Sequence, residues 1–137
     1  MNLVSVRIIT DDVARLVAFY ERVTGVDASW ANADFAELRT TSSTLAVGST
    51  RTVGLFGPGV AGPAANRSAI VEFLVEDLDG AFAALRAGAD DLEVVQEPTT
   101  MPWGNRSLLL RDPDGTLVNL FEPVTDAAIA KFAATPR

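Results

Sequence analysis

Residues Trp103 to Pro123 read WGNRSLLLRDPDGTLVNLFEP, and this stretch decides the fold. Arg106 to Arg111 holds Leu108, Leu109 and Leu110 and reads as an apolar strand. Asp112-Pro113-Asp114-Gly115 supplies turn chemistry: proline fixes φ, and glycine is free to take positive φ. Thr116 to Glu122 is β-branched and aromatic, so it reads as the returning strand, and Pro123 stops the ladder. The stretch is therefore a hairpin that closes a sheet.

Working outward, the totals limit what that sheet can belong to. The chain has 137 residues, enough for one domain or two small modules sharing a core. It has no cysteine and no histidine. Disulfides, thiolate nucleophiles and zinc–thiolate sites are excluded, as are the commonest general base and the commonest transition-metal ligand. The net charge of −7 comes with no basic run, which argues against a nucleic-acid surface. No apolar stretch approaches a membrane span, and Met1-Asn2-Leu3 lacks the basic start of a secretion signal. The expectation is a cytoplasmic protein without nucleic-acid or membrane partners.

Upstream of the hairpin the pattern occurs twice. Leu3 to Thr10 reads as a strand apolar on both faces. Asp11 or Asp12 caps a helix in which Val13, Leu16, Val17, Tyr20 and Val23 form one stripe, ended by Gly25. Three short strands are expected at Trp30 to Arg39, Thr44 to Val47 and Thr52 to Phe56. Gly57 to Asn66 is rich in glycine, proline and alanine and reads as a linker. Then Ala69 to Glu76 is a strand, Asp77 or Asp79 starts a helix running to Gly88, Leu92 to Glu97 is a strand, and Pro98 to Gly104 is a loop leading into the hairpin. A short helix from Thr125 to Ala134, capped by Thr125 or Asp126, ends the chain, with the last residues frayed.

The repeat is the informative part. Asp12-Val13 and Asp77-Leu78 both sit between a strand and a helix, 65 residues apart, and the same offset pairs Ser5 with Ile70 and Arg7 with Glu72. The expected fold class is α+β: two tandem βαβββ modules forming a cupped mixed sheet. The expected boundaries are residues 1–56 for the first module, 57–66 for the linker, 67–124 for the second module and 125–137 for the C-terminal helix and tail.

This layout resembles the glyoxalase / bleomycin-resistance / extradiol-dioxygenase superfamily, the vicinal oxygen chelate fold. Asp12-Val13, Phe19-Tyr20 and Thr24-Gly25 match the frame of its first module, and Asp77-Leu78 and Gly88 match that of the second. Asp112-Pro113-Asp114-Gly115 matches most specifically, and Met101-Pro102-Trp103-Gly104 with Arg106 is similar to the equivalent loop of many bleomycin-resistance-like members. The resemblance covers nearly the whole chain. It also implies where metal-dependent members place their ligands, and here those positions fall on Ser5, Gly54, Ile70 and Asn119. Glycine and isoleucine offer no side-chain donor, and serine and asparagine are weak ones for a dication. No metal and no other cofactor is expected.

The resemblance further implies a concave cup lined from the Ser5 face of the first strand and the Ile70 face of its twin. The residues assigned to ligand contact are Ser5, Arg7, Ile70, Glu72, Trp103, Arg106, Asn119 and Phe121. Such a lining suits a small organic molecule, aromatic or cationic. Each polar member has a second reading. Arg7 and Glu72 either orient a ligand group or pair with each other, and pairing is favoured because buried charges are nearly always paired. Trp103 either stacks on a ligand or anchors its loop. Arg106 either meets a ligand anion or pairs with an acid such as Glu97. Asn119 either binds ligand or is a satisfied core amide. Glu122 reads as exposed rim.

Two functions compete. The first is a metal-free binding module that sequesters a small molecule, as antibiotic-resistance members of the family do. The second is a metal-independent isomerase, lyase or hydrolase, whose general base would have to be Glu37, Glu72 or Glu93. A divergent metal-dependent lyase or dioxygenase stands third. No catalytic residue is assigned. A homodimer is expected, since isologous dimers are the commonest assembly.

Overall fold

The computed structural model describes residues 1–136, so Arg137, the end of the expected tail, lies outside the described residues. The order of elements is β1 (Ser5–Thr10), α1 (Val13–Thr24), β2 (Ser29–Asn32), β3 (Phe35–Arg39), β4 (Thr44–Ser49), α2 (Thr50–Gly54), β5 (Ile70–Leu74), α3 (Leu78–Gly88), β6 (Glu93–Thr100), β7 (Asn105–Arg111), β8 (Leu117–Pro123) and α4 (Asp126–Phe132). The fold is α+β, built from two four-stranded mixed sheets ordered β1-β4-β3-β2 and β5-β8-β7-β6. The chain divides into two units: Met1–Arg67 with Asp112–Gly115, and Ser68–Arg111 with the residues from Thr116 onward.

In the first unit β1 runs parallel to β4, which pairs antiparallel with β3. Asp12 caps α1 by accepting a hydrogen bond from the Arg15 backbone N–H at 3.1 Å, and Gly25 closes the helix at φ 70°. The expected stripe of Val13, Leu16, Val17, Tyr20 and Val23 is buried. It covers the sheet face that carries Ala36, Leu38, Leu45 and Val47, all buried. The opposite face carries Ser5, Arg7, Phe35 and Glu37 beside the small residues Ala46 and Gly48.

The Asp112–Gly115 turn belongs to this unit and makes a buried contact with α1. Tyr20, fully buried, donates its hydroxyl to Asp112 Oδ2 at 2.7 Å. Asp112 Oδ1 accepts from the Asp114 N–H at 2.9 Å, and Gly115 takes φ 87°. The turn's first aspartate therefore shapes the turn and satisfies a buried phenol in the same carboxylate.

Three expectations need correction here. Trp30 to Arg39 is not one strand but the hairpin β2–β3, because the Asn32 side chain accepts the Asp34 N–H at 2.8 Å and turns the chain. Thr52 to Phe56 is not a strand either. Ser49 caps a short helix by accepting from the Arg51 N–H at 3.2 Å, and Thr52 donates back to the Ser49 carbonyl at 2.7 Å. The last strand of the first module is therefore β4. Finally, β6 continues through Pro98 to Thr100. Proline is tolerated because β6 is an edge strand and its pairing with β7 shifts register twice, between Val94 and Gln96 and between Gln96 and Thr99.

The second unit repeats the plan. β5 runs parallel to β8, and β8, β7 and β6 are antiparallel neighbours. Asp77 caps α3 by accepting from the Gly80 N–H at 3.0 Å, with almost the same backbone angles as Asp12. Gly80 is needed there, since a Cβ would lie 2.2 Å from Asp77 Oδ2. Leu78 and Leu85 of α3 are buried, as are Leu108, Leu110, Val118 and Leu120 on the sheet face of even-numbered residues. α4 starts at Thr125, whose hydroxyl accepts from the Ala128 N–H at 3.3 Å. The Met101–Gly104 loop is locked against it: Gly104 sits at φ 92°, and both the Val124 and Thr125 N–H groups donate to its carbonyl.

Candidate functional site

The alternation of β7 and β8 sorts the assigned residues onto two faces of the second sheet. Ser107 stands opposite Phe121, Leu109 opposite Asn119 and Arg111 opposite Leu117, while on the other side of β8 Glu72 faces Asn119 and Ile70 faces Leu117. These residues share the face away from the Leu108–Leu110 core. Ile70, Glu72, Asn119 and Phe121 are therefore brought together, as expected.

Within this face Asn119 Nδ2 donates to Glu72 Oε2 at 2.8 Å. Asn119 Oδ1 is shielded from solvent and has no hydrogen-bond partner among the described residues. The same holds for Ser107 Oγ and Asn105 Oδ1, and both residues lie on the same face of β7. Ser107 is 97% buried, being 3% exposed. Ile70 is half exposed, and Leu109 and Leu117 are partly exposed. Phe121 is buried beneath Phe132 of α4, with ring centroids 5.2 Å apart. Phe121 thus walls one end of the face rather than opening onto it. Arg111 lies at the other end, across from Glu93 of β6.

Arg106 is a correction. It falls on the opposite face, where its guanidinium clasps Asp79 of α3 through two hydrogen bonds of 2.9 Å each. Asp79 holds the Arg106 pKa above its ordinary value, and the guanidinium holds the Asp79 carboxyl below its own. Glu97, its expected partner, pairs instead with Arg86 at 2.7 Å. Glu122 also lies on the helix side, where its Oε2 accepts the Leu78 N–H at 3.0 Å and supports the start of α3. Strand parity could have flagged both, because residues 106 and 122 fall out of step with 119.

Ser5 and Arg7 are exposed on the corresponding face of the first sheet. Arg7 lies over the Phe35 ring, 5.3 Å from its centroid, so Arg7 and Glu72 each have a partner inside their own unit. Trp103 is 65% exposed at the tip of its locked loop. Glu37, one candidate base, is paired with Arg39.

The strand register fixes where the metal-ligand positions fall. Gly54 lies in α2, not on a sheet. The first-unit counterpart of Asn119 is Ala46, which stands opposite Arg7 as Asn119 stands opposite Glu72. Ser5, Ala46, Ile70 and Asn119 do not fit a metal: two offer no donor, and the Asn119 amide is engaged with Glu72. Among the described residues no group of three or more histidines, cysteines, aspartates or glutamates is placed to hold one. Sequence reasoning missed Ser107 and Asn105, whose parity with Asn119 across the hairpin was the available signal.

A family model described as the Glyoxalase/Bleomycin resistance protein/Dioxygenase superfamily matches residues 2–120. Solved structures match along most of their length. A glyoxalase/bleomycin resistance protein/dioxygenase from Nocardioides is 21% identical with a TM-score of 0.73, covering 92% of this chain and 85% of that one. A glyoxalase/bleomycin resistance protein/dioxygenase family enzyme from Burkholderia phytofirmans PsJN is 18% identical with a TM-score of 0.74, covering 90% of this chain and 100% of the other. TioX from Micromonospora sp. ML1 is 24% identical with a TM-score of 0.66, covering 90% and 100% respectively. No curated protein gives a significant match. No helix among the described residues is long and apolar enough to cross a membrane. The duplicated βαβββ plan, the DPDG turn seated on Tyr20 and the family match over residues 2–120 lead to one assignment: this chain belongs to the glyoxalase/bleomycin resistance protein/dioxygenase superfamily.

Proposed function

We propose that the face of the second sheet around Asn119 binds a small organic molecule directly, through protein groups rather than through a metal ion. The observation that carries this reading is Asn119 Oδ1, shielded and unpartnered among the described residues on a face framed by Ile70, Leu109 and Leu117, with Ser107 Oγ and Asn105 Oδ1 also unpartnered farther along that face toward Phe121 and Pro123. Buried polar atoms without partners are costly, so a bound group that satisfies them gains free energy there. An apolar frame with a few convergent polar groups is the composition of a small-molecule site. Trp103, held rigidly yet exposed, adds a flat surface for stacking. In this reading Ser5 and Arg7 serve the equivalent face of the first sheet, and the protein is a cytoplasmic homodimer.

Native mass spectrometry of the protein as purified tests the proposal. A subunit ion that carries an organic mass, or that gains one from a fragment mixture, supports it. A stoichiometric metal that survives buffer exchange overturns it.

A further inference from the structure

We infer that the occupant of this face is an organic cation: an ammonium or amidinium group joined to an apolar body. This rests on the binding reading above and adds the chemical class.

Asn119 spends one Nδ2 N–H on Glu72 Oε2, which fixes the amide's orientation, since the flipped amide would set two acceptors 2.8 Å apart. Of what Asn119 has left, a second Nδ2 N–H and Oδ1, the acceptor Oδ1 is the atom that is shielded and unmet among the described residues. Glu72 is exposed, and among the described residues no arginine or lysine forms a salt bridge with it. A carboxylate accepts only. Ser107 Oγ can accept as readily as donate, and it too is unmet. The polar centre is therefore richest in acceptors and carries the Glu72 negative charge, so a complementary ligand brings hydrogen-bond donors and a positive charge. A carboxylate or phosphate ligand would add like charge to Glu72 and leave the Asn119 acceptor unpaired. The cation on this face, Arg111, stands at the Leu117 end opposite Glu93 rather than beside Glu72. The apolar part of the ligand has its own surface in half-exposed Ile70 and partly exposed Leu109 and Leu117. The net charge of −7 raises the local concentration of cations in the same sense.

The test is a titration followed by nuclear magnetic resonance of the side-chain amides. The chain has five asparagines and one glutamine, so the spectrum is sparse, and the Asn119→Ser variant assigns the Asn119 signals. The probes are benzamidinium, benzyl alcohol and benzoate. Benzamidinium is expected to move the Asn119 signals and to bind about tenfold more tightly than benzyl alcohol, as one charge-assisted contact implies. Benzoate is expected to leave them in place. Glu72→Gln is expected to weaken benzamidinium about tenfold and to leave benzyl alcohol within about twofold. Glu72 is exposed, and an unchanged backbone amide spectrum verifies that the variant is folded. Benzoate binding as tightly as benzamidinium overturns the cation class and leaves small-molecule binding standing. So does a Glu72→Gln variant that binds benzamidinium as well as the parent. Asn119 signals that move with none of the three probes overturn both the class and the binding reading beneath it.

Discussion

Tyr20 is the only tyrosine in the chain, so its ionisation can be followed by absorbance without interference from another phenol. It is fully buried, and its hydroxyl donates to the buried Asp112 carboxylate at 2.7 Å. Burial, and then the adjacent negative charge of Asp112, push its pKa up, well above the range of an ordinary phenol. The folded pKa is raised, so the stabilisation is complete below the unfolded value of about 10 and declines as pH rises above it. Above that point the unfolded chain loses a proton that the folded chain keeps, and stability falls by about 1.4 kcal/mol per pH unit. From neutral pH to pH 12 the loss is about 2.7 kcal/mol, a large share of the roughly 5–15 kcal/mol that holds a domain folded. The assay is paired absorbance and far-ultraviolet circular dichroism across alkaline pH. Tyrosinate absorbance is expected to appear only with loss of the dichroism. Tyr20→Phe is expected to remove the alkaline slope and to cost about 1.5–3 kcal/mol at neutral pH, the range for a hydrogen bond to a charged group. Tyrosinate appearing at about pH 10 in a chain that is still folded would refute the reasoning.

Four further outcomes are expected. Gly104→Ala should destabilise by about 1–3 kcal/mol in urea unfolding, because a Cβ at φ 92° would sit 2.0 Å from Thr125 Oγ1, and hydrogen exchange should show α4 opening first. Trp103→Ala should leave stability within about 0.5 kcal/mol while abolishing any ligand-induced change in tryptophan emission, since the ring is 65% exposed. Arg106→Ala should leave ligand affinity unchanged in the same fluorescence titration and increase exchange at the first turn of α3, where Asp79 loses its clasp. Adding zinc or a chelator should leave the melting temperature where it was, because Ser5, Ala46, Ile70 and Asn119 make no ligand set; a shift of several degrees with zinc would contradict the register argument.

The duplication was legible because it is written in caps as well as in apolar pattern. Asp12 and Asp77 are helix N-caps at one offset, so the two βα units stand in register even where their sequences diverge. The errors cluster where local side-chain chemistry overrides β-propensity. Thr52 and Val53 look like strand residues, but Ser49 offers a cap that draws them into α2. Asn32 breaks an apparently continuous strand through one side-chain hydrogen bond. At the site, Ile70, Glu72 and Asn119 were placed together because strand pairing follows from the repeat. Arg106 was misplaced because a loop motif was weighed above the alternation of β7. The Tyr20–Asp112 contact was out of reach: 92 residues separate its partners, and each alone reads as something ordinary, a core aromatic and a turn residue.

The proline and the two register shifts of β6 bear on how the molecule avoids unwanted company. Pro98 removes one N–H from that margin, and the shifts bend it, so a strand from another chain finds no continuous ladder to join. In the first sheet the outermost strand on the same side, β2, is only four residues long and also slips register against β3. β1 and β5, on the opposite margins, carry neither proline nor bulge and pair evenly with β4 and β8. Each sheet therefore has one margin that resists extension and one that permits it, and in both cases the permissive margin is the strand that opens the repeat.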